Sequence, residues 1–153
     1  MRIYLMQHGK QVPKEEDPGR PLSDQGRHDV ERMAGFLKKC PVNVEEVFHS
    51  GKTRAKETAE IMISRLNPGK DPVVKMGLSP LDDISEIAEQ IKAKDNDFMI
   101  VGHLPHLARL SAFLMTGSES TPVVRFKQGG VVCLEKEEEY WSIGWMLVPE
   151  IVK

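Results

Sequence analysis

The sequence predicts an α/β fold: a three-layer α/β/α sandwich around a mostly parallel central sheet, with a C-terminal hairpin and no large lid domain. Four strand-then-helix units follow one another between Ile3 and Gly117, a pattern typical of parallel sheets covered by helices on both faces. Two apolar runs around a charged segment then indicate a hairpin. A chain of 153 residues can bury its core as one domain, which we expect to span residues 1–153.

The first unit opens with the apolar run Ile3 to Met6, which predicts a buried strand ending in Gln7-His8-Gly9. Residues Gln11 to Pro21 are rich in proline, glycine and charge, so an exposed loop is expected there. Ser23 is a suitable N-cap for a first helix that Pro41 stops.

The later units repeat the alternation of strand and helix. The helix after the second strand should end at Asn67-Pro68-Gly69, and Pro105 suits the first turn of the fourth helix. The remaining strands are predicted at Val44–His49, Pro72–Met76 and Phe98–Val101, and the hairpin strands at Gly130–Leu134 and Trp141–Val148.

Composition excludes several classes of protein. The net charge of -2 provides no long-range attraction to nucleic acid or to an anionic membrane. No apolar run approaches the roughly 20 residues that cross a bilayer, and a signal-peptide pattern is not seen, so a cytoplasmic protein is expected. Cys40 and Cys133 are far apart in sequence, which favours reduced, structural thiols.

Polar residues follow the predicted strands. Ligands of an open parallel sheet bind beyond the carboxyl ends of its strands, where the strand-to-helix loops meet. Two histidines, an arginine and helix N-termini at one edge predict an anion pocket, with phosphate as the obvious anion. The four loops would contribute Gln7, His8 and Gly9; Ser50, Lys52 and Arg54; Asp82 and Asp83; and Gly102 and His103.

Each of these residues also has a purely structural explanation. Asp82 and Asp83 lie where a helix cap is expected, and an isolated Arg54 could be a solvated first-turn arginine. His103 and His106 are three residues apart, but without a Glu or Cys at ligand spacing no metal site is expected.

Taken in order, the motifs resemble those of the histidine phosphatase superfamily, and in particular its small SixA-type phosphohistidine phosphatases. The resemblance runs from Met1 to about Leu114, and the last forty or so residues add no motif. The matching stretches are Leu5-Met6-Gln7-His8-Gly9, Arg20-Pro21-Leu22-Ser23-x-x-Gly26, Ser50-x-x-x-Arg54-Ala55-x-x-Thr58 and Gly102-His103-x-Pro105.

The resemblance implies roles for individual residues. It makes His8 the phosphate acceptor, Arg54 the phosphate clamp and His103 the second pocket histidine, without a metal or another cofactor. Arg20 would reach the pocket from the long loop. Asp83 is the better match for an acid on the third loop, and Asp82 is nearly as good. Gln7, Gly9, Ser50 and Asp82 would contribute to substrate binding.

Gln7 departs from the family's usual Arg-His-Gly signature. An arginine there would offer a fork of charged donors, whereas glutamine offers a neutral amide. Phosphate should therefore be held more weakly, or by other groups.

The predicted function is a phosphatase that removes phosphate from a phosphohistidine on a signalling protein, through a phosphohistidine enzyme intermediate. The P–N bond becomes labile once the leaving imidazole is protonated, so a strong general acid matters less than for an alkyl phosphate. The short chain also favours an exposed, protein-borne substrate. Two alternatives stay open: a phosphomonoesterase for small metabolites, and a catalytically weak phosphoprotein-binding module.

Overall fold

A computed structural model of the protein describes residues 1–152, in which six strands form one sheet flanked by four α-helices. A single 3-10 turn follows the last strand. The elements are β1 (Arg2–Gln7), α1 (Asp24–Leu37), β2 (Glu46–His49), α2 (Thr53–Leu66), β3 (Val73–Val74), α3 (Ser85–Ala93), β4 (Phe98–Gly102), α4 (His106–Thr116), β5 (Val131–Glu137), β6 (Tyr140–Leu147) and the 3-10 turn Pro149–Ile151.

The strand order is β3-β2-β4-β1-β5-β6. The four strands from β3 to β1 pair in parallel, while β5 and β6 join antiparallel as a hairpin. This confirms the predicted α/β class with a mostly parallel sheet and a C-terminal hairpin. Gln7 is the register partner of Gly102, so β1 and β4 end side by side.

Alternating side chains along each strand divide the core into two layers. Tyr4 and Met6 of β1 pack with α1 and α2 in one cluster. Ile3 and Leu5 point to the other face and pack with α3 and α4. Helices therefore cover both faces of the sheet, as the predicted three-layer sandwich requires.

Some element boundaries differ from the prediction. Strand β2 begins at Glu46 and not at Val44, and β3, at one edge of the sheet, contains only Val73–Val74. The predicted hairpin strand continues through Glu135, which is held by an ion pair with Arg2 at 3.0 Å. Pro105 precedes α4 as its N-cap instead of lying in its first turn.

The long loop after β1 folds back on itself. Gln11 forms an isolated bridge with Leu22, and the Val12 amide donates to the Pro21 carbonyl at 2.9 Å. At the end of this loop Ser23 caps α1, accepting a hydrogen bond from the Gly26 amide at 3.0 Å. The predicted cap is thereby confirmed, and the loop is tied to both β1 and α1.

Adjacent strands β4 and β1 send their following helices, α4 and α1, to opposite faces of the sheet. In doubly wound sheets this reversal opens a crevice at the carboxyl ends of the two strands.

Within residues 1–152, no helix combines the length and apolar character needed to cross a membrane.

Candidate active site

His8 is the first residue after β1, and it lies buried in the crevice. Its backbone amide donates to the Gly102 carbonyl at 3.1 Å, which fixes it against the end of β4. Its ring nitrogen Nδ1 lies 2.7 Å from the Gly9 carbonyl oxygen. Because a carbonyl can only accept, Nδ1 must carry the proton. The other nitrogen, Nε2, is therefore the one with a free lone pair.

The electrostatic environment keeps His8 uncharged. Burial lowers the pKa of His8 to about 4; the hydrogen bond to Gly9 opposes this shift, and the nearby charges of Arg54 and Arg20 add to it. At neutral pH the imidazole is therefore neutral, which a nucleophilic histidine requires.

His103 follows β4 and faces His8, with 5.0 Å between the two ring centroids. Its Nε2 lies 2.6 Å from the hydroxyl oxygen of Ser50, which follows β2. Burial lowers the pKa of His103 to about 3, helped by His8 and by the cations Arg54 and Lys52. Side chains from three adjacent strand ends thus meet, as the order β2-β4-β1 requires.

Arg54 lies in the first turn of α2, and burial followed by the charge of Arg20 lowers its pKa. Two buried nitrogens, Arg54 Nε and His103 Nδ1, have no hydrogen-bond partner within the part of the chain that the structure describes. Since buried polar groups are nearly always paired, Arg54 and His103 retain unused hydrogen-bonding capacity.

Arg20 reaches the same cluster from the long loop. Its charge lowers the pKa of both His8 and Arg54, so its guanidinium lies close to them. The backbone there is left-handed, with a φ of 49°, and the Arg20 amide donates to the Asp17 carbonyl at 2.9 Å. The folded loop thus holds a second arginine beside the histidines.

Thr58 links two of these segments and was not among the predicted site residues. Its hydroxyl donates to the Arg54 carbonyl at 2.7 Å and accepts the Gly9 amide at 3.0 Å. The β1 turn and the first turn of α2 are thereby held in a common position. The signal was in the sequence: a threonine four residues after Arg54 can bond back to that carbonyl.

Gly129 is a second contributor that the sequence reasoning missed. Its amide donates to the carbonyls of Gln7 at 3.0 Å and His8 at 3.2 Å, just before β5 begins. An antiparallel strand beside β1 must start at the edge where β1 ends, so the predicted hairpin already placed this turn next to the histidine.

Asp82 and Asp83 are engaged in the turn before α3. The Asp82 carboxylate accepts the Ser79 amide at 2.9 Å. The Asp83 carboxylate accepts both the amide and the hydroxyl of Ser85, and these hydrogen bonds lower its pKa. Neither carboxylate contributes to the shifted pKa values of His8 and His103.

The two aspartates thus have contacts of their own in the turn before α3. The other predicted site residues lie at one edge of the sheet: Gln7, His8, Gly9, Arg20, Ser50, Arg54 and His103.

Cationic and neutral donors therefore surround His8, and such a site suits an anion with several oxygens. Among residues 1–152, no cluster of three or more His, Cys, Asp or Glu side chains could hold a metal ion.

The sequence profile of the histidine phosphatase superfamily (branch 1) matches residues 3–88. The phosphohistidine phosphatase SixA of Escherichia coli (strain K12) is 28% identical over 154 residues, an alignment that covers 97% of this chain and 94% of that protein.

Solved structures give the same result. A structure of the protein histidine phosphatase SixA complexed with tungstate superposes with a TM-score of 0.87 at 26% identity, and the match covers 100% of both chains. The alpha-ribazole phosphatase from Shigella flexneri shares the fold, with a TM-score of 0.74, 15% identity and 97% of each chain covered.

The profile match extends over more than half of the 153 residues and includes His8 and Arg54, and the SixA structure matches the whole chain. Hence the chain belongs to branch 1 of the histidine phosphatase superfamily and is a SixA-type histidine phosphatase, a hydrolase.

Proposed function

We propose that this phosphatase dephosphorylates phosphohistidine on a protein, with His8 as the transient phosphate acceptor. The observation that carries the proposal is the state of His8. Its Nδ1 proton is held by the Gly9 carbonyl, and its pKa is about 4. A neutral ring with a free Nε2 lone pair, beside Arg54 and His103, suits nucleophilic attack on a phosphoryl group.

In the first step His8 Nε2 attacks phosphorus, and the bond between phosphorus and the substrate imidazole breaks. The departing imidazole takes a proton from solvent. Arg54, Arg20 and His103 stabilise negative charge on the phosphoryl oxygens. In the second step water attacks the phosphorylated His8, releasing inorganic phosphate and restoring the neutral ring.

Ser50 positions His103 for this role. The Ser50 oxygen accepts the Lys52 amide at 3.3 Å, and it lies 2.6 Å from His103 Nε2. This contact fixes the ring of His103 beside that of His8.

The state of Asp83, the candidate acid, favours a leaving group that needs no proton from the enzyme. The pKa of Asp83 lies below its usual range because Ser85 donates to the carboxylate, so this group is ionised at neutral pH and holds no proton to give. An alkyl phosphate needs such a proton, whereas an imidazole leaving group can take one from water. The SixA relative, whose name is phosphohistidine phosphatase, supports the same substrate class.

The test is rapid-quench labelling with a protein whose histidine carries radioactive phosphate. The wild-type chain should acquire base-stable, acid-labile label within one turnover, and His8→Ala should acquire none. His28 is an exposed histidine, so His28→Ala is a matched control that should label like wild type.

Other outcomes would identify the alternatives. Equal labelling of His8→Ala would exclude His8 as the acceptor. Binding of the donor without label or turnover would indicate a binding module, and turnover of aryl or sugar phosphates alone would indicate a phosphomonoesterase.

A further inference from the structure

Four exposed apolar side chains lie at or beyond the carboxyl ends of β3 and β4. They are Val74, Met76, Leu81 and Leu104, and we refer to them as the apolar rim. Their exposed fractions are 61%, 88%, 83% and 40%. Scattered apolar residues are normal on a surface, whereas several together beside a pocket mark an interaction site.

Strand pairing places one half of the rim next to the Ser50 loop. Val74 is the register partner of His49, and the Lys75 amide donates to the His49 carbonyl at 2.9 Å. A Cβ built on Gly51 would lie 3.2 Å from Val74 Cγ2. Val74 and Lys75 therefore lie beside the loop whose serine contacts His103, and Met76 follows them in the chain.

The other half adjoins α4. Leu104 follows His103, and the Arg109 side chain donates to the Asp82 carbonyl at 3.2 Å. This bond holds the turn that carries Leu81 against α4. Met76 lines a shallow cleft together with Asp82, Asp83 and Glu86, so the turn that carries Leu81 borders the same cleft as Met76.

We propose that the apolar rim is the docking surface for the protein that carries the phosphohistidine, an inference that rests on the function proposed above. Its occupant is a folded protein with apolar side chains around the phosphorylated histidine. Basic side chains on that protein would face the exposed carboxylates of Asp83 and Glu86.

The position of the apolar rim beside the catalytic crevice indicates which molecule would cover it. Leu104 is adjacent in sequence to His103, whose ring is 5.0 Å from that of His8. A protein that places its phosphohistidine against His8 must cover the neighbouring surface. The flexible side chains of Met76 and Leu81 can adapt to such a partner.

The experiment compares two substrates: free phosphohistidine, and a histidine-containing phosphocarrier domain phosphorylated with phosphoramidate. The variant Met76→Ser/Leu81→Ser removes apolar contact at two highly exposed positions. With the phosphocarrier domain, kcat/KM should fall about tenfold or more through KM, because a few residues carry most of the energy of an interface. With free phosphohistidine it should not change.

Tyr140 is 77% exposed, and it begins β6 at the hairpin tip on the opposite edge of the sheet. Tyr140→Ser is therefore the matched control and should retain activity towards both substrates.

An equal fall with both substrates in the rim variant, or no fall with the phosphocarrier domain, would overturn the docking surface alone. Inactivity of the wild-type chain towards both would overturn the proposed function itself. A change of oligomeric state in the rim variant would instead assign the rim to a second copy of this chain.

Discussion

A histidine can accept a phosphoryl group only while one ring nitrogen has a free lone pair. Burial, against the opposing hydrogen bond to Gly9 and with the charges of Arg54 and Arg20, lowers the pKa of His8 to about 4. The same arginines that would bind the phosphoryl oxygens therefore also maintain the nucleophile. Gln7 stands where the family usually has arginine. It therefore affects both the binding of the phosphoryl group and the pKa of His8.

Replacing Gln7 by arginine should extend activity to lower pH. A third neighbouring cation disfavours the imidazolium and lowers the pKa of His8 further. The acidic limb of the pH profile of kcat/KM, which reports ionisation of the free enzyme, should therefore shift to lower pH in Gln7→Arg.

Gln7→Leu separates charge from hydrogen bonding in this comparison. It removes the amide without adding charge, so its acidic limb should stay where the wild-type limb lies even if the rate falls. A limb in Gln7→Arg that stays in place, or that moves to higher pH, would contradict the electrostatic argument.

At the scale of elements, the turn after β1 depends on a close approach to α1. A Cβ built on Gly26 would lie 2.0 Å from the Lys10 carbonyl oxygen. Because Ser23 also donates its amide to that carbonyl at 2.9 Å, the backbone cannot easily move away. Gly26→Ala should lower the free energy of unfolding by about 1–3 kcal/mol, as overpacking does, measured by urea unfolding.

Gly35 offers a control within the same helix. A Cβ at Gly35 would meet nothing within 4 Å. Gly35→Ala should therefore raise the free energy of unfolding by about 0.5–1 kcal/mol, through the better helix propensity of alanine. Equal effects of the two substitutions would show that helix propensity, and not the contact with Lys10, explains the glycine of this motif.

For the whole molecule, buried neutral histidines make stability depend on pH. The folded pKa values of His8 and His103 are about 4 and about 3, below the unfolded value of about 6.5. Between these limits the unfolded chain binds more protons than the folded one, so stability falls as pH falls. The loss should reach about 1.4 kcal/mol per pH unit for each such histidine.

Urea unfolding from about pH 7 to about pH 5, in buffer free of phosphate, measures this loss. His103→Gln should reduce the slope of stability against pH by one histidine's contribution. The same slope in the variant as in wild type would mean that His103 does not titrate in this window.

Much of this architecture was predictable because strand and helix patterns are local. The apolar runs at Ile3–Met6 and Phe98–Val101 identified the central strands, and the cap at Ser23 marked α1. The edge strand β3 was overestimated, since Pro72–Met76 has a strand-like composition but only Val73–Val74 forms a strand. The charged residues Glu135–Glu137 were assigned to a turn, yet pairing with β6 extends the strand through them.

The sequence by itself determined the alternation of strands and helices and placed two histidines and an arginine at strand ends. Only the tertiary structure decided which nitrogen of His8 is free, because that depends on the Gly9 carbonyl at 2.7 Å. It also decided the neutral state of both rings, since desolvation arises only when α1, α2 and α4 close over the sheet. The contacts of Asp82 and Asp83 were decided in the same way: their carboxylates accept local amides in the turn before α3, and a sequence motif does not show such hydrogen bonds.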